Sequence, residues 1–226
     1  MQRIRGKGPK AQSEIKTEEL NLTYKERKEI LSTYKCYDLL KNYNVPGHII
    51  QHSETVCRVA LFLSYELNKN GEKLDIQLIN AAALLHDITK FEDLKTHKDH
   101  AKTGKILLEN LGFSRIGEIV GEHINLQDKR GIKTISEAEI INYSDKRVMH
   151  TEVVTLPERF KDLRERYGLN KKTLNESTVK RINELELKIY ELEKKIFSRL
   201  DFKAEELLYF LEKPSYLSTQ GKPVEM

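Results

Sequence analysis

The sequence has 226 residues, of which 38% are hydrophobic and 33% are charged, and it contains no tryptophan. The hydrophobic fraction argues against a disordered chain, and no apolar run is long enough to cross a bilayer, which argues against an integral membrane protein. The formal net charge of +4 hints at anionic partners without establishing them. Cys36 and Cys57 lack the CxxC spacing of a metal or redox motif, so we expect reduced core thiols in a cytoplasmic protein.

Residues 1–20 show no hydrophobic periodicity and are expected to form a flexible basic arm. Its first ten residues contain no acid and four positive charges: Arg3, Arg5, Lys7 and Lys10. No apolar stretch follows them, so we expect no secretory signal. The arm could touch RNA or another polyanion, but a frayed terminus is the simpler interpretation.

From residue 21 onward the pattern predicts one helix after another. Thr23 and Glu26 form a capping box, which predicts a helix from there to about Tyr43. The next helix, over about 48–69, carries apolar residues at helical spacing, and His52 lies on the same inward stripe.

The third helix is expected to start near Asp75 and to contain a run of Ala and Leu that ends at His86 and Asp87. A fourth is predicted from about Asp99 to Leu111. Glycines mark several of the predicted helix ends, at Gly71, Gly112 and Gly168.

Three further helices follow. The first of them carries His123 on the same face as three apolar residues. The second opens at a capping box of Ser136 and Glu139 and turns Asp145 inward. A shorter helix runs through Phe160.

From about Ser177 the chain shows a heptad seam with dense charges between its apolar positions. We expect this helix to pack on the protein or to pair with a second copy in a homodimer, and both alternatives stay open. A last helix is predicted from about Asp201 to Leu211. No strand alternation or hairpin signal appears, so the predicted fold is all-α. The seam consists of Ile182, Leu185, Ile189, Leu192 and Ile196.

Helical spacing thus points His52, His123 and Asp145 inward and places His86 and Asp87 at a helix end. A single inward histidine is more often a hydrogen-bonded core residue than a ligand, and the His-Asp dipeptide is common by chance. When three or more such side chains point inward from separate helices of one small domain, their buried polar atoms are difficult to pair unless they share a partner such as a metal ion. Imidazole and carboxylate ligands suit Mn, Fe, Co, Ni or Zn.

The order of these residues resembles the signature of the HD-domain metal-dependent phosphohydrolases. "HSETVCRVA" resembles the family's first-histidine helix, and "LLHDITK" resembles its HDIGK stretch with Thr89 in place of glycine. "INYSDKRV" resembles the closing ADK stretch with Ser144 in place of alanine. "HAKTGKILLENLG" and "IGEIVGEHINL" resemble the two further histidine segments of members that bind two metals.

The resemblance covers about residues 48–150 and implies an HD-domain helical bundle with additional C-terminal helices. We therefore expect an HD phosphohydrolase domain over residues 21–168. The C-terminal helical extension over residues 169–226 would pack on the core or on a partner chain.

The resemblance also implies two metal ions that share one carboxylate, Asp87. His100 fits the second ion better than His97, because it stands directly before "AKTG". His48 and His150 match nothing in the family pattern and are expected to be surface or structural residues. The implied ligands are His52, His86, Asp87 and Asp145 for the first ion, with His100 and His123 completing the site of the second.

The reaction class that the resemblance implies is hydrolysis of a phosphoester or phosphoanhydride by metal-activated water, with Asp87 and Lys90 as the catalytic residues. Lys90 would approach the substrate phosphate; its simpler interpretation is a solvated lysine at a helix end. No Gly-rich phosphate loop appears. The resemblance implies a small phosphate compound as the substrate, and a nucleotide in particular, because the family acts on nucleoside monophosphates, cyclic dinucleotides, dinucleoside polyphosphates and alarmone nucleotides.

The GYP extension typical of cyclic-di-GMP hydrolysis is absent after Lys90, where the sequence has "FED". We therefore rank cyclic-di-GMP lower among these substrates. The six-ligand pattern ranks dinucleoside polyphosphates higher. The alternative from another functional class is a non-catalytic module that binds a nucleotide or RNA.

Overall fold

The computed structural model describes residues 31–96, 98–127, 133–170, 173–174 and 176–213. Within these residues the fold is all-α, as the sequence predicts. The helices are α1 (Thr33–Asn42), α2 (Gly47–Lys69), α3 (Ile76–Leu85), α4 (Lys90–Thr96), α5 (His100–Asn110), α6 (Ser114–Glu122), α7 (Glu137–Lys146), α8 (Leu156–Leu163), α9 (Glu176–Phe197) and α10 (Leu207–Leu211).

Several shorter elements join these helices. They are a π-helix (Arg164–Gly168), a 3-10 helix (Ala204–Glu206) and the strand pairs β1 (Val148–Met149) with β2 (Glu152–Val153) and β3 (Leu169–Asn170) with β4 (Thr173–Leu174). Both strand pairs are antiparallel and only two residues long.

Helix α3 lies at the centre of the bundle. Its N-terminus is capped by Asp75, whose side chain accepts from the backbone N–H of Leu78 at 3.0 Å. Seven of its ten residues are buried, and it contacts α1, α2, α6 and α7. A helix that is apolar on every side belongs in a core. The chain therefore carries whatever follows α3 directly into the middle of the protein.

Helices α5 and α6 pack closely against each other in opposite directions. A Cβ added to Gly117 would lie 2.9 Å from the carbonyl oxygen of Lys105, and one added to Gly121 would lie 2.9 Å from the Lys105 side chain. The two glycines therefore permit the close approach. As a result, the first residue of α5 and the residue after α6 lie at the same end of the pair.

Helix α9 turns its heptad seam toward the same chain. It contacts α7, α8 and the π-helix, and Ile182, Ile189, Leu192 and Ile196 are buried in the core while Leu185 is half-buried. Polar contacts reinforce this packing: the Tyr143 hydroxyl donates to Glu193 at 2.5 Å, and Lys195 donates to Glu139 at 2.6 Å. Pairing with a second chain and the domain limits 21–168 and 169–226 stay predictions.

The structure differs from the predicted elements at both ends. Helix α1 begins after Ser32, whose hydroxyl accepts from the backbone N–H of Lys35, so the start predicted at Thr23 is wrong for this helix. The capping box of Thr23 and Glu26 and the basic arm lie outside the described residues. The last helix does not begin at Asp201, because Phe202 packs against Phe62 and Phe210 and the chain turns there.

Three local elements have no counterpart in the sequence prediction: α4 and the two strand pairs. Each is too short to produce a recognisable hydrophobic period.

No helix in the described part of the chain is long and apolar enough to cross a bilayer. Cys36 and Cys57 are buried and free, and burial raises the pKa of each thiol to about 12.

Candidate metal centre

The end of α3 supplies two of the predicted site residues. His86 is the C-cap of α3 and is fully buried. Its Nδ1 donates to the carbonyl oxygen of Ala83 at 2.8 Å, which leaves the lone pair of the neutral ring on Nε2. That Nε2 lies 3.3 Å from Asp87 Oδ2. The local turn therefore sets both the ring orientation and the nitrogen that a metal could use.

His52 reaches the same point from α2. Its Nδ1 donates to the carbonyl oxygen of His150 at 2.7 Å, and its Nε2 lies 3.0 Å from Asp145 Oδ1. His150 lies between β1 and β2 with a φ of 56°, a conformation uncommon for residues other than glycine. The turn between β1 and β2 thus orients a ring that lies 98 residues earlier in the chain.

Asp145 approaches from α7, and its two oxygens have different partners. Oδ1 lies 3.0 Å from His52 Nε2 and 3.7 Å from His86 Nε2. Oδ2 accepts from the Lys146 ammonium at 2.6 Å. One oxygen therefore faces the histidine nitrogens while the other is held by a buried cation.

His100 and His123 come together because α5 and α6 are antiparallel. His100 is the first residue of α5, and His123 is the C-cap of α6. His123 Nδ1 donates to the carbonyl oxygen of Val120 at 2.6 Å, and its Nε2 lies 3.3 Å from His100 Nε2. Both Nε2 atoms converge on Asp87 Oδ1, at 3.3 Å from His100 and 3.6 Å from His123.

The Asp87 carboxylate lies between two groups of ring nitrogens. Its Oδ1 faces His100 and His123, and its Oδ2 faces His86 at 3.3 Å and His52 at 3.9 Å. In the described residues, the groups able to hold an ion are His52 with His86 and Asp87, and Asp87 with His100 and His123. This geometry allows one carboxylate to serve both groups.

The unpaired atoms at this point fit a metal. His86 Nε2 and Asp87 Oδ1 are among the buried atoms with no hydrogen-bond partner within the described chain. A buried polar atom left unpaired costs roughly 1–3 kcal/mol, so native structures rarely contain one without a reason. A neutral imidazole nitrogen and a carboxylate oxygen both offer lone pairs, and a divalent cation is the partner that such lone pairs suit.

The electrostatics of the site also favour an added positive charge. Burial by itself would raise the pKa of Asp87, but the charges of His86 and Lys90 hold it well below its usual range. Burial would lower the pKa of His86, but the Asp87 and Asp145 carboxylates raise it to about 10. For His123, burial prevails and lowers the pKa, so this ring is neutral at pH 7.

Lys90 lies where the site opens to solvent. Its ammonium donates to Asp87 Oδ2 at 2.5 Å, and its side chain is 28% exposed. A cavity of about 310 Å³ begins at this point. It is lined by His52, Asp87 and Lys90 of the candidate site and by His48, Ile49, Leu94, His150, Thr151, Arg159, Arg166 and Tyr167.

Lys146 is a site residue that the sequence analysis missed. Its buried ammonium contacts Asp145 Oδ2 at 2.6 Å and the carbonyl oxygen of His123 at 3.3 Å, so it joins the two histidine groups. Asn142 also donates to the His123 carbonyl, at 3.0 Å. In the sequence, the one indication that Lys146 and Asn142 belong to the site is that they lie on the same buried helix as Asp145.

Thr89 departs from the family pattern, and its hydroxyl contacts two residues in the first turn of α5. It donates to the carbonyl oxygen of His100 at 3.0 Å and lies 2.8 Å from the Thr103 hydroxyl. Thr103 in turn donates to the buried carboxylate of Asp93. These contacts fasten the first turn of α5, from which His100 projects.

Three histidines were expected to lie outside the ligand set. His97 is outside the described residues. His48 and His150 are exposed and line the cavity, and His150 acts structurally through its backbone carbonyl.

The comparisons with known proteins bear on the same segment. An uncharacterized protein of Methanocaldococcus jannaschii is 26% identical over 150 residues, which cover 60% of this chain and 86% of that protein. The tRNA (cytidine(56)-2'-O)-methyltransferase of Thermoplasma volcanium is 32% identical over 103 residues, 43% of this chain but only 28% of that enzyme. No solved structure shows significant similarity. Residues 49–150 match the model of the HD domain, and the chain therefore carries an HD domain, within which all six predicted metal ligands lie.

Proposed function

We propose that the protein is a metal-dependent phosphohydrolase that cleaves a phosphoester or phosphoanhydride bond of a nucleotide. The observation that supports this most strongly is the position of Asp87, whose two oxygens face two separate groups of histidine nitrogens. Such an arrangement suits a pair of divalent ions with a shared carboxylate. The HD domain suggests the hydrolase class, and the cavity beside Lys90 supplies space for a small substrate.

In this proposal the site residues divide into two sets. When bound, two divalent ions would supply an acidified water as the nucleophile and neutralise charge on the phosphate. Imidazole and carboxylate donors suit Fe, Mn, Co, Ni or Zn. The first ion would be held by His52, His86, Asp87 and Asp145, and the second by Asp87, His100 and His123.

Lys90 would act on the substrate itself. Its ammonium contacts Asp87 and also lines the cavity, so it would contact a phosphate that binds beside Asp87. An ammonium at that point offsets the negative charge that develops as the phosphate is attacked. The nucleophile would be water, so no serine or cysteine is assigned a chemical role.

The alternative is a module that binds a nucleotide or RNA without turnover. The match to a tRNA methyltransferase covers 28% of that enzyme, so we do not assign methyl transfer to this chain. A full set of two ligand groups supports the hydrolase, since binding alone does not require two ions.

The test begins with metal analysis of protein purified without added metal. Hydrolysis of p-nitrophenyl phosphate and bis(p-nitrophenyl) phosphate is then measured with Mn²⁺ or Fe²⁺, for the wild type, Asp87→Asn and the exposed control Asp38→Asn. We expect bound metal and hydrolysis in the wild type and control, and loss of both in Asp87→Asn with helicity retained.

Two outcomes would contradict the proposal. Full metal content and turnover in Asp87→Asn would mean that the ligand set is wrong. Bound metal without hydrolysis of either aryl phosphate or of a nucleotide panel would favour the binding module.

A further inference from the structure

The lining of the cavity carries positive charge that the proposed metal chemistry does not use. Arg159 on α8 and Arg166 on the π-helix both line it, and both lie beyond the segment that matches the HD domain. Among the described lining residues, Asp87 is the one acidic side chain, against these two arginines and Lys90. Lys90 contacts Asp87 and is assigned to the phosphate attacked there, so the two arginines are the remaining cations among the described lining residues.

The two arginines share a single acidic partner. Arg159 donates to Asp162 at 2.9 Å, and Arg166 donates to the same carboxylate oxygen. Two guanidinium groups on one carboxylate leave a net positive charge and spare N–H donors. Arg159 is 8% exposed, and its Nε is buried without a hydrogen-bond partner in the described residues. The guanidinium of Arg159 is therefore largely desolvated, and a desolvated guanidinium forms strong hydrogen bonds with anions through its remaining donors.

The element that carries Arg166 is unusual and firmly held. A π-helix is rare, and it often marks a functional site. Arg164, in the same turn, donates to Glu186 at 2.6 Å and to Asn183 at 3.1 Å, both on α9. Helix α9 thus holds the turn that places Arg166 and Tyr167 at the cavity.

We propose that Arg159 and Arg166 form an anion subsite for a second phosphate group of the substrate. The substrate class is then a nucleotide with at least two phosphates, one at the Asp87 end and one at the arginines. Planar guanidinium groups suit phosphate because they donate two parallel hydrogen bonds. This inference rests on the proposed function for the role of the Asp87 end, but anion binding by the arginines is measurable without turnover.

The test compares two probes that cannot be hydrolysed, orthophosphate and methylenediphosphonate. Their affinities are measured by calorimetry on the full chain loaded with Mn²⁺, with metal content determined before and after titration to exclude stripping. The wild type should bind the diphosphonate about tenfold more tightly, the effect of roughly one added charge-assisted hydrogen bond. Arg166→Gln should reduce that preference to about threefold or less while orthophosphate affinity and metal content stay unchanged.

Arg166 is 40% exposed, so its variant should fold, and Arg159→Lys gives a second variant that keeps the charge but loses the paired donors. The control is Arg181→Gln, an exposed arginine on α9. Equal affinities for the two probes in the wild type would overturn the inference, as would an unchanged preference in both cavity variants. Aryl phosphate hydrolysis with no diphosphonate preference would leave the proposed function intact and refute only the subsite.

Discussion

Lys146 and Asp145, neighbours in sequence, form a buried ion pair with 2.6 Å between Nζ and Oδ2. Burial by itself would raise the pKa of Asp145, but the Lys146 charge and the adjacent rings of His52 and His86 hold it well below its usual range. The carboxylate is therefore kept ionised, with its other oxygen turned toward the histidines. Lys146 acts as a positioning residue, since it contacts Asp145 rather than the cavity.

Lys146→Met should destabilise the metal-free protein by roughly 3–5 kcal/mol, because it leaves a buried carboxylate without its cation. Added Mn²⁺ should recover part of this loss, since a bound ion would replace the missing charge. Thermal unfolding with and without Mn²⁺ measures both effects. Lys95→Met, which breaks the exposed pair with Glu92, is the control and should change stability by about 1 kcal/mol or less. Equal effects in both variants would contradict the role of Lys146.

His100→Ala and His52→Ala should each leave about one ion per chain, because the two Asp87 oxygens face different histidine groups. His100 is the cleaner substitution, since its side chain is 22% exposed and its loss leaves little buried space. Metal content by mass spectrometry is the measurement, and His48→Ala at the cavity rim is the control that should keep both ions. Loss of both ions in each single variant would indicate one joint site instead of two.

Thr89→Val should weaken binding of the second ion about tenfold while the first is unaffected. The valine keeps the shape of the side chain but removes the hydroxyl that donates to the His100 carbonyl. Calorimetric titration with Mn²⁺ resolves the two binding steps. The matched control is Thr96→Val, whose hydroxyl donates to the backbone carbonyl of Glu92 on an exposed face. Unchanged affinities at both steps would show that Thr89 does not position His100.

Binding of the first ion at pH 7 should release about one proton, from His86. The carboxylates raise the pKa of this ring to about 10, so it is protonated before the ion arrives and neutral afterwards. Below that pKa the proton competes with the ion, so affinity should rise about tenfold per pH unit between pH 7 and 9. Calorimetry in buffers of different ionisation enthalpy counts the released protons, and a pH-independent affinity would disprove this assignment.

The sequence by itself determined most helix ends and the identity of the residues that converge. Caps and C-terminal glycines act within one turn, so Asp75, Ser136 and Gly112 indicate their helix boundaries correctly without the rest of the fold. Inward histidines follow from helical period, and their order along the chain carries the family resemblance. The start predicted at Asp201 is wrong because the packing of Phe202 outweighs a local capping preference.

The tertiary structure alone decided how those residues are oriented and what surrounds them. The His150 carbonyl selects the free nitrogen of His52 from 98 residues away, and no local pattern encodes that contact. Lys146 joins two histidine groups only because α6 and α7 are adjacent. Likewise, Arg166 lines the cavity because α9 holds its turn in place. Contacts of this kind depend on how separate elements pack, whereas sequence patterns report only what happens within one element.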